Sequence, residues 1–179
     1  MELIPLLKAL SEAAGVSGYE NGVGELVRAQ FAPCAHELRT DSLGNIIAFR
    51  RGNGPEPRPR IMLAGHMDEI GLIVTRLDGA FLRFTQVGGF DVRTLPGQEV
   101  TVHGRRPLHG IVGCRPPHVL SVADRDKPAP MDDLFIDVGL TEGELAQAVR
   151  VGDIVTLAAG CVELKNGRLA GKAFDDRAA

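Results

Sequence analysis

The sequence is short of the features that would place it in a specialised class. It has no cysteine pair. Cys34, Cys114 and Cys161 are odd in number, widely spaced and without a C-x-x-C, which excludes a disulfide frame or a zinc knuckle and leaves small buried apolar residues of a reducing compartment. It has no basic patch. The longest basic cluster is the pair Arg50-Arg51, and with a net charge of -3 and a pI near 5.9 the chain lacks the electrostatic footprint of a nucleic-acid binder. No run approaches the ~18 apolar residues of a membrane helix. The opening MELIPLLKALSEAAG carries acids at Glu2 and Glu12 and no basic region ahead of its leucines, so no signal peptide is expected. There is no internal repeat or low-complexity segment. These absences point to a cytoplasmic protein without nucleic-acid or membrane partners.

What is present is ordinary globular material, 44% hydrophobic and 24% charged over 179 residues, enough for one good core or two small ones. Leu3, Leu6, Leu7 and Leu10 recur at helical spacing before Gly15, and Val23, Leu26, Val27 and Phe31 mark a second amphipathic helix that ends at Pro33. The period then changes: Glu37–Thr40 and Ile46–Arg50 read as strands joined by a turn at Asp41–Asn45. RGNGPEPRP is a surface loop by composition, and Ile61–Ala64 reads as a short strand buried on both faces. Helices followed by such strands predict an α/β sheet. From Gly71 to Leu164 come seven short strands (GLIVTRL, FLRFTQV, EVTVH, HGIVGC, LFIDVG, DIVTL and CVELK) punctuated by Gly, Pro, Asn and Asp, with a helix at Glu142–Arg150. That spacing predicts a small, mostly antiparallel barrel or sandwich inserted into the α/β part.

The sharpest local signal is Gly65-His66-Met67-Asp68-Glu69. In an extended segment residues i and i+2 share a face, so Asp68 is placed to orient the His66 imidazole. The end of a buried α/β strand is also where such proteins place their sites. His66 is then either a metal ligand or a satisfied interior histidine. The second signal is Asp175-Asp176-Arg177. Adjacent carboxylates at a helix mouth serve as caps, or one of them bridges two divalent ions. His36, His103, His109 and His118 sit near turns or strand ends without an acid at i+2 in an equivalent setting and read as surface or structural, and Glu69 reads as either an acid behind the site or a strand-end surface residue, with the surface reading favoured.

As a whole the chain resembles a known family. GVSGYE (Gly15–Glu20), the D-x-LGN turn, GHMDEIG, VGGFDVRTLPGQ, PPH, DDLFIDVG, VGD and GKAFDDRA occur in order. They are similar to the motifs of the glutamyl-aminopeptidase-like, cocatalytic-metal aminopeptidases, tetrahedral particles also labelled endoglucanase, of which cellulase activity is the weaker label. The resemblance implies a phosphorylase/hydrolase-like mixed-sheet α/β catalytic domain from residues 1–69 and 165–179, incomplete here. Residues 70–164 would form a β-rich, barrel-like dimerisation domain inserted between them. It implies His66 and Asp175 as metal ligands, Asp175 bridging, Asp68 as the catalytic residue that orients His66, and Asp176 after a cis peptide. It also implies two divalent ions (zinc or cobalt) per full-length subunit, peptide substrates, and dimers assembling to a dodecamer. In that chemistry the ions polarise the scissile carbonyl and activate a bridging water, with a glutamate as general base.

The glutamate base and the remaining ligands of that pattern lie beyond the DDRA motif. The chain is therefore expected to be a truncated N-terminal half with a partial metal site, inactive by itself. The alternatives are a non-catalytic oligomerisation or interaction module and another dinuclear amidohydrolase, a deacylase or carboxypeptidase. The LPGQ and DDLFIDVG segments speak for the aminopeptidase branch.

Overall fold

Two runs of leucine and valine at helical spacing form the first elements of the computed structural model, which describes residues 2–122 and 127–178. Helix α1 spans Leu3–Glu12 and helix α2 spans Asn21–Phe31. Strands β1 (Glu37–Thr40) and β2 (Ile46–Phe49) follow as an antiparallel hairpin in which Glu37 faces Phe49 and Thr40 faces Ile46. Asp41 closes the turn: its carboxylate accepts from the backbone of Leu43 and Asn45 and from the Asn45 amide. These bonds hold the Asp41 carboxyl below its ordinary range, the Asn45 side chain first among them. Gly44 takes φ +88, which a side chain would strain.

The chain divides into two units. The first comprises residues up to Glu69 and from Gly160 onward; the second is the continuous stretch Ile70–Ala159. Strand β9 (Val162–Leu164), expected among the strands of the insert, instead pairs with β10 (Arg168–Ala170) in the first unit. A short turn, α4, spans Phe174–Arg177, and within it Asp175 and Asp176 depart from helical backbone angles.

The largest departure from expectation is Ile61–Ala64. Among the described residues these form no strand or bridge, and Ile61, Met62 and Leu63 are 86–93% exposed. A strand buried on both faces needs partners for its N–H and C=O groups on either side. Among the described residues the first unit supplies only the two separate hairpins and an isolated parallel bridge between Val16 and Glu69. The expected mixed sheet is absent there.

The second unit is a closed antiparallel barrel in the order β3-β4-β7-β6-β5-β8, with β8 returning to β3. Its strands are β3 (Gly71–Asp78), β4 (Phe81–Val87), β5 (Glu99–His103), β6 (Pro107–Gly113), β7 (Phe135–Asp137) and β8 (Ile154–Leu157). Alternation explains the core: Leu72, Val74, Leu82, Phe84, Val100, Val102, Leu108, Val112, Ile136 and Val155 point inward and are buried. Each fully buried aliphatic side chain contributes about 1.5–3 kcal/mol. Helix α3 (Glu142–Ala148) adds Leu145 to this core. Closure leaves no bare strand edge. No described helix is long and apolar enough to cross a membrane.

Candidate functional site

Three stretches of the first unit meet at His66: the turn Gly15–Ser17, the extended segment Gly65–Glu69, and the final segment Lys172–Arg177. The first two are joined by backbone, with the Glu69 amide donating to the Gly15 carbonyl at 2.8 Å. The extended conformation of Gly65–Glu69 puts His66 and Asp68 on one side, and His66 Nδ1 lies 2.9 Å from Asp68 Oδ1. The other oxygen of Asp68 accepts from the Ser17 hydroxyl. Asp68 is thus held at both oxygens. The Ser17 bond first, and the histidine beside it, keep its carboxyl below the usual range.

An ionised Asp68 at Nδ1 assigns the ring proton to that nitrogen and turns the Nε2 lone pair outward. Facing it, 3.2 Å away and 109 residues on in sequence, is Oδ1 of Asp175. Two acceptors this close repel unless something positive lies between them. In the bare protein this favours a proton on the ring: the Asp175 contact first, and then Asp68, raises the His66 pKa above its ordinary value. Both groups are open to solvent, His66 at 53% and Asp175 at 97% side-chain exposure, so the attraction is screened.

The same geometry suits a divalent ion. An imidazole nitrogen about 2.0–2.1 Å and a carboxylate oxygen about 2.0–2.2 Å from one tetrahedral ion lie about 3.3–3.5 Å apart, and the observed spacing of 3.2 Å is just short of that range. A carboxylate on the far ring nitrogen is the usual companion of a metal-bound histidine. Two donors are fewer than a closed coordination sphere requires. Among the described residues no group of three or more His, Cys, Asp or Glu side chains is arranged to hold an ion.

The peptide bond between Asp175 and Asp176 is cis. The Asp176 carboxylate does not join the His66 contact. It packs against Gly65, where its Oδ2 would stand 3.1 Å from any Cβ added there.

Glu69 corrects the sequence reading. It is 6% exposed, and the Lys172 ammonium binds both its oxygens at 2.9 and 2.8 Å. Glu69 Oε1 also accepts from the Gly15 amide at 3.1 Å. The sequence marks Arg177 only as part of a motif, yet its buried guanidinium binds four carbonyls: Met67 at 2.7 Å, Leu10 at 2.8 Å, Ala13 at 2.6 Å and Gly15 at 3.3 Å. Burial lowers its pKa, partly opposed by Glu69 and Asp68. Its bonds to Leu10 and Ala13 satisfy carbonyls left without partners at the end of α1. Ser17, Lys172 and Arg177 have no local signature, because each acts across more than 50 residues.

The remaining histidines take structural parts. His36 Nδ1 accepts from the Arg51 amide at 3.0 Å, His103 Nε2 meets the Thr156 hydroxyl at 2.9 Å, and His109 lies 3.5 Å from Glu99 on the barrel. His118 is exposed in a 3-10 turn.

Comparison with known proteins follows the same lines. Residues 44–179 match the M42 glutamyl aminopeptidase family. The lysyl aminopeptidase of Pyrococcus furiosus is 37% identical over 180 residues, covering 96% of this chain and 50% of that protein. The crystal structure of a TET aminopeptidase from the marine sediment archaeon Thaumarchaeota archaeon SCGC AB-539-E09 superposes with a TM-score of 0.90 at 39% identity, over 97% of this chain and 49% of that one. A Pyrococcus horikoshii TET1 peptidase, described as assembling into a tetrahedron or a large octahedral shell, matches with a TM-score of 0.82 at 34% identity, over 98% and 52% of the two chains. The chain spans about half the length of the curated relatives it matches.

Proposed function

The chain belongs to the M42 glutamyl aminopeptidase family, and from that premise we propose that its first unit contributes two ligands, His66 and Asp175, to a metal-dependent aminopeptidase acting on the N-termini of peptides. The observation that carries the reading is the face-to-face approach of His66 Nε2 and Asp175 Oδ1, with Asp68 and Ser17 behind the ring. Either a ring proton or a metal cation reconciles that arrangement, and it leaves the donors open to solvent where a peptide could reach them.

Each residue has a defined part. Ser17 fixes Asp68, Asp68 keeps the ring proton on Nδ1 and the ring plane set, His66 presents Nε2, and Asp175 presents a carboxylate whose second oxygen is available to a neighbouring ion. Divalent ions bound there supply Lewis acidity toward a scissile carbonyl and acidify a bound water. With only two donors, these 179 residues are expected to bind zinc or cobalt weakly and to show no peptide hydrolysis by themselves. The closed barrel carries none of these donors, which fits the dimerisation role implied for it, and the likeness to a TET peptidase that forms shells supports a homo-oligomer.

The test is equilibrium dialysis of the 179-residue chain against Co²⁺, with hydrolysis of aminoacyl p-nitroanilides followed in parallel. Weak binding that disappears in His66→Ala and falls sharply in Asp175→Asn is the expected result. Binding indifferent to both substitutions would remove the metal reading. Hydrolysis by the wild-type chain would overturn the need for further ligands.

A further inference from the structure

Two cross-links flank the His66–Asp175 contact. On one side Glu69, three residues after His66, binds Lys172, three residues before Asp175, in a pair whose side chains are 3% and 8% exposed. On the other, the carbonyl of Met67, next to His66, accepts from Arg177, two residues after Asp175. The donors themselves are exposed; the cross-links are not. Each joins segments more than 100 residues apart. We propose that Lys172 and Arg177 are positioning residues: they clamp the Gly65–Glu69 segment to the Lys172–Arg177 segment on either side of the two donors and so hold a spacing that one ion can share.

The chemistry of the two clamps supports this division of labour. A buried ion pair contributes little net stability against an apolar pair of like volume, yet it is costly to break by half. It therefore fixes register more than it strengthens the fold. The Arg177 guanidinium is a planar fork, and all its bonds here go to backbone carbonyls, so it locks main chain and not a movable side chain. Lysine has the same charge and cannot reproduce the fork. Even the surrounding glycine is shaped to it: a Cβ on Gly15 would stand 2.7 Å from Arg177 Nη2. The lysine clamp is seated as well, since the Lys172 carbonyl accepts from the buried Ser11 hydroxyl at 2.6 Å.

This inference rests on His66 and Asp175 being metal donors, and the experiment separates the two claims. The full chain, Arg177→Lys, and the paired variant Glu69→Gln/Lys172→Met are titrated with Co²⁺, and the visible spectrum of the bound ion is recorded. At fixed pH without metal, the imidazole nitrogen shifts of His66 report whether both ring nitrogens keep their partners. Circular dichroism confirms that each variant is folded. Val23→Ala, a core truncation in the same unit, controls for lost stability alone. The expected result is at least a tenfold loss of Co²⁺ affinity and altered His66 shifts in both clamp variants, with Val23→Ala unchanged in both readouts. Co²⁺ affinity and His66 shifts equal to wild type in folded clamp variants would overturn the clamp and leave the ligand reading standing. A wild-type chain whose Co²⁺ binding ignores His66→Ala would overturn both.

Discussion

Arg177 fills the space that a side chain on Gly15 would need: an added Cβ would stand 2.7 Å from its Nη2 and 2.8 Å from Val23. The neighbours cannot easily give way, because the guanidinium is fixed by four carbonyls and Val23 is fully buried. Gly15→Ala is expected to destabilise the first unit by about 1–3 kcal/mol through overpacking. The single tyrosine of the chain, Tyr19, lies in that unit, so its fluorescence during urea unfolding reads the change directly. A transition at the wild-type midpoint would refute the close packing.

Charge removal at Glu69 and Lys172 should be strongly non-additive. Lys172→Met leaves a buried carboxylate without its cation and is expected to cost about 3–5 kcal/mol, whereas adding Glu69→Gln should recover most of the loss. Denaturant midpoints of the two single variants and the double variant form the cycle that checks this. Additive costs would mean that the pair is not coupled as the 2.8 and 2.9 Å contacts require.

The pH behaviour of the metal-free chain follows from the raised His66 pKa. A group whose folded pKa exceeds its unfolded value stabilises fully below the unfolded value, about 6.5. That contribution is lost as pH rises through the folded value. An NMR titration should therefore place the His66 midpoint above the ordinary range. Asp175→Asn should lower it, since the Asp175 contact is the largest cause of the shift. Divalent ions compete with the same proton, so Co²⁺ binding should weaken as pH falls through that midpoint. A midpoint unmoved by Asp175→Asn would contradict the contact.

The exposed apolar run offers a contrasting prediction. Ile61 and Leu63 are 86% and 93% exposed, so Ile61→Ser and Leu63→Ser remove almost no buried area and should change stability by less than about 0.5 kcal/mol. Both should reduce self-association, because an exposed apolar segment outside any strand invites pairing. Sedimentation velocity alongside thermal unfolding tests both halves. A large drop in melting temperature would show that the segment is packed after all.

Local pattern made much of the fold legible. Apolar residues at helical spacing located α1 and α2, the Asp41–Asn45 turn located the first hairpin, and short runs punctuated by Gly, Pro, Asn and Asp located all six barrel strands. It failed where a residue's state depends on a distant partner. Ile61–Ala64 has the composition of a buried strand, but composition cannot supply neighbouring strands. Glu69 looks like any strand-end acid until Lys172, 103 residues later, is brought to it. CVELK alternates as well as its neighbours do, yet it pairs with Arg168–Ala170 outside the barrel. At the site, H-x-D predicted the Asp68–His66 bond because it spans only two residues. The contact with Asp175 follows from resemblance and folding together, never from spacing.

The pairing of β3 with β8 has a consequence for how the first unit assembles. Leu72 faces Val155 and Ile73 faces Ile154, so the chain enters and leaves the barrel on adjacent strands, about 5 Å apart. Once the barrel has folded, the segment 70–159 no longer behaves as a long flexible loop. It acts as a short connection with nearly coincident ends. Closing a loop costs more entropy as it lengthens, and the folded barrel removes most of that length. Lys172 and Arg177 then search for Glu69 and Met67 at the high effective concentration of near neighbours in sequence. Contacts of more than 100 residues' separation become, kinetically, local ones.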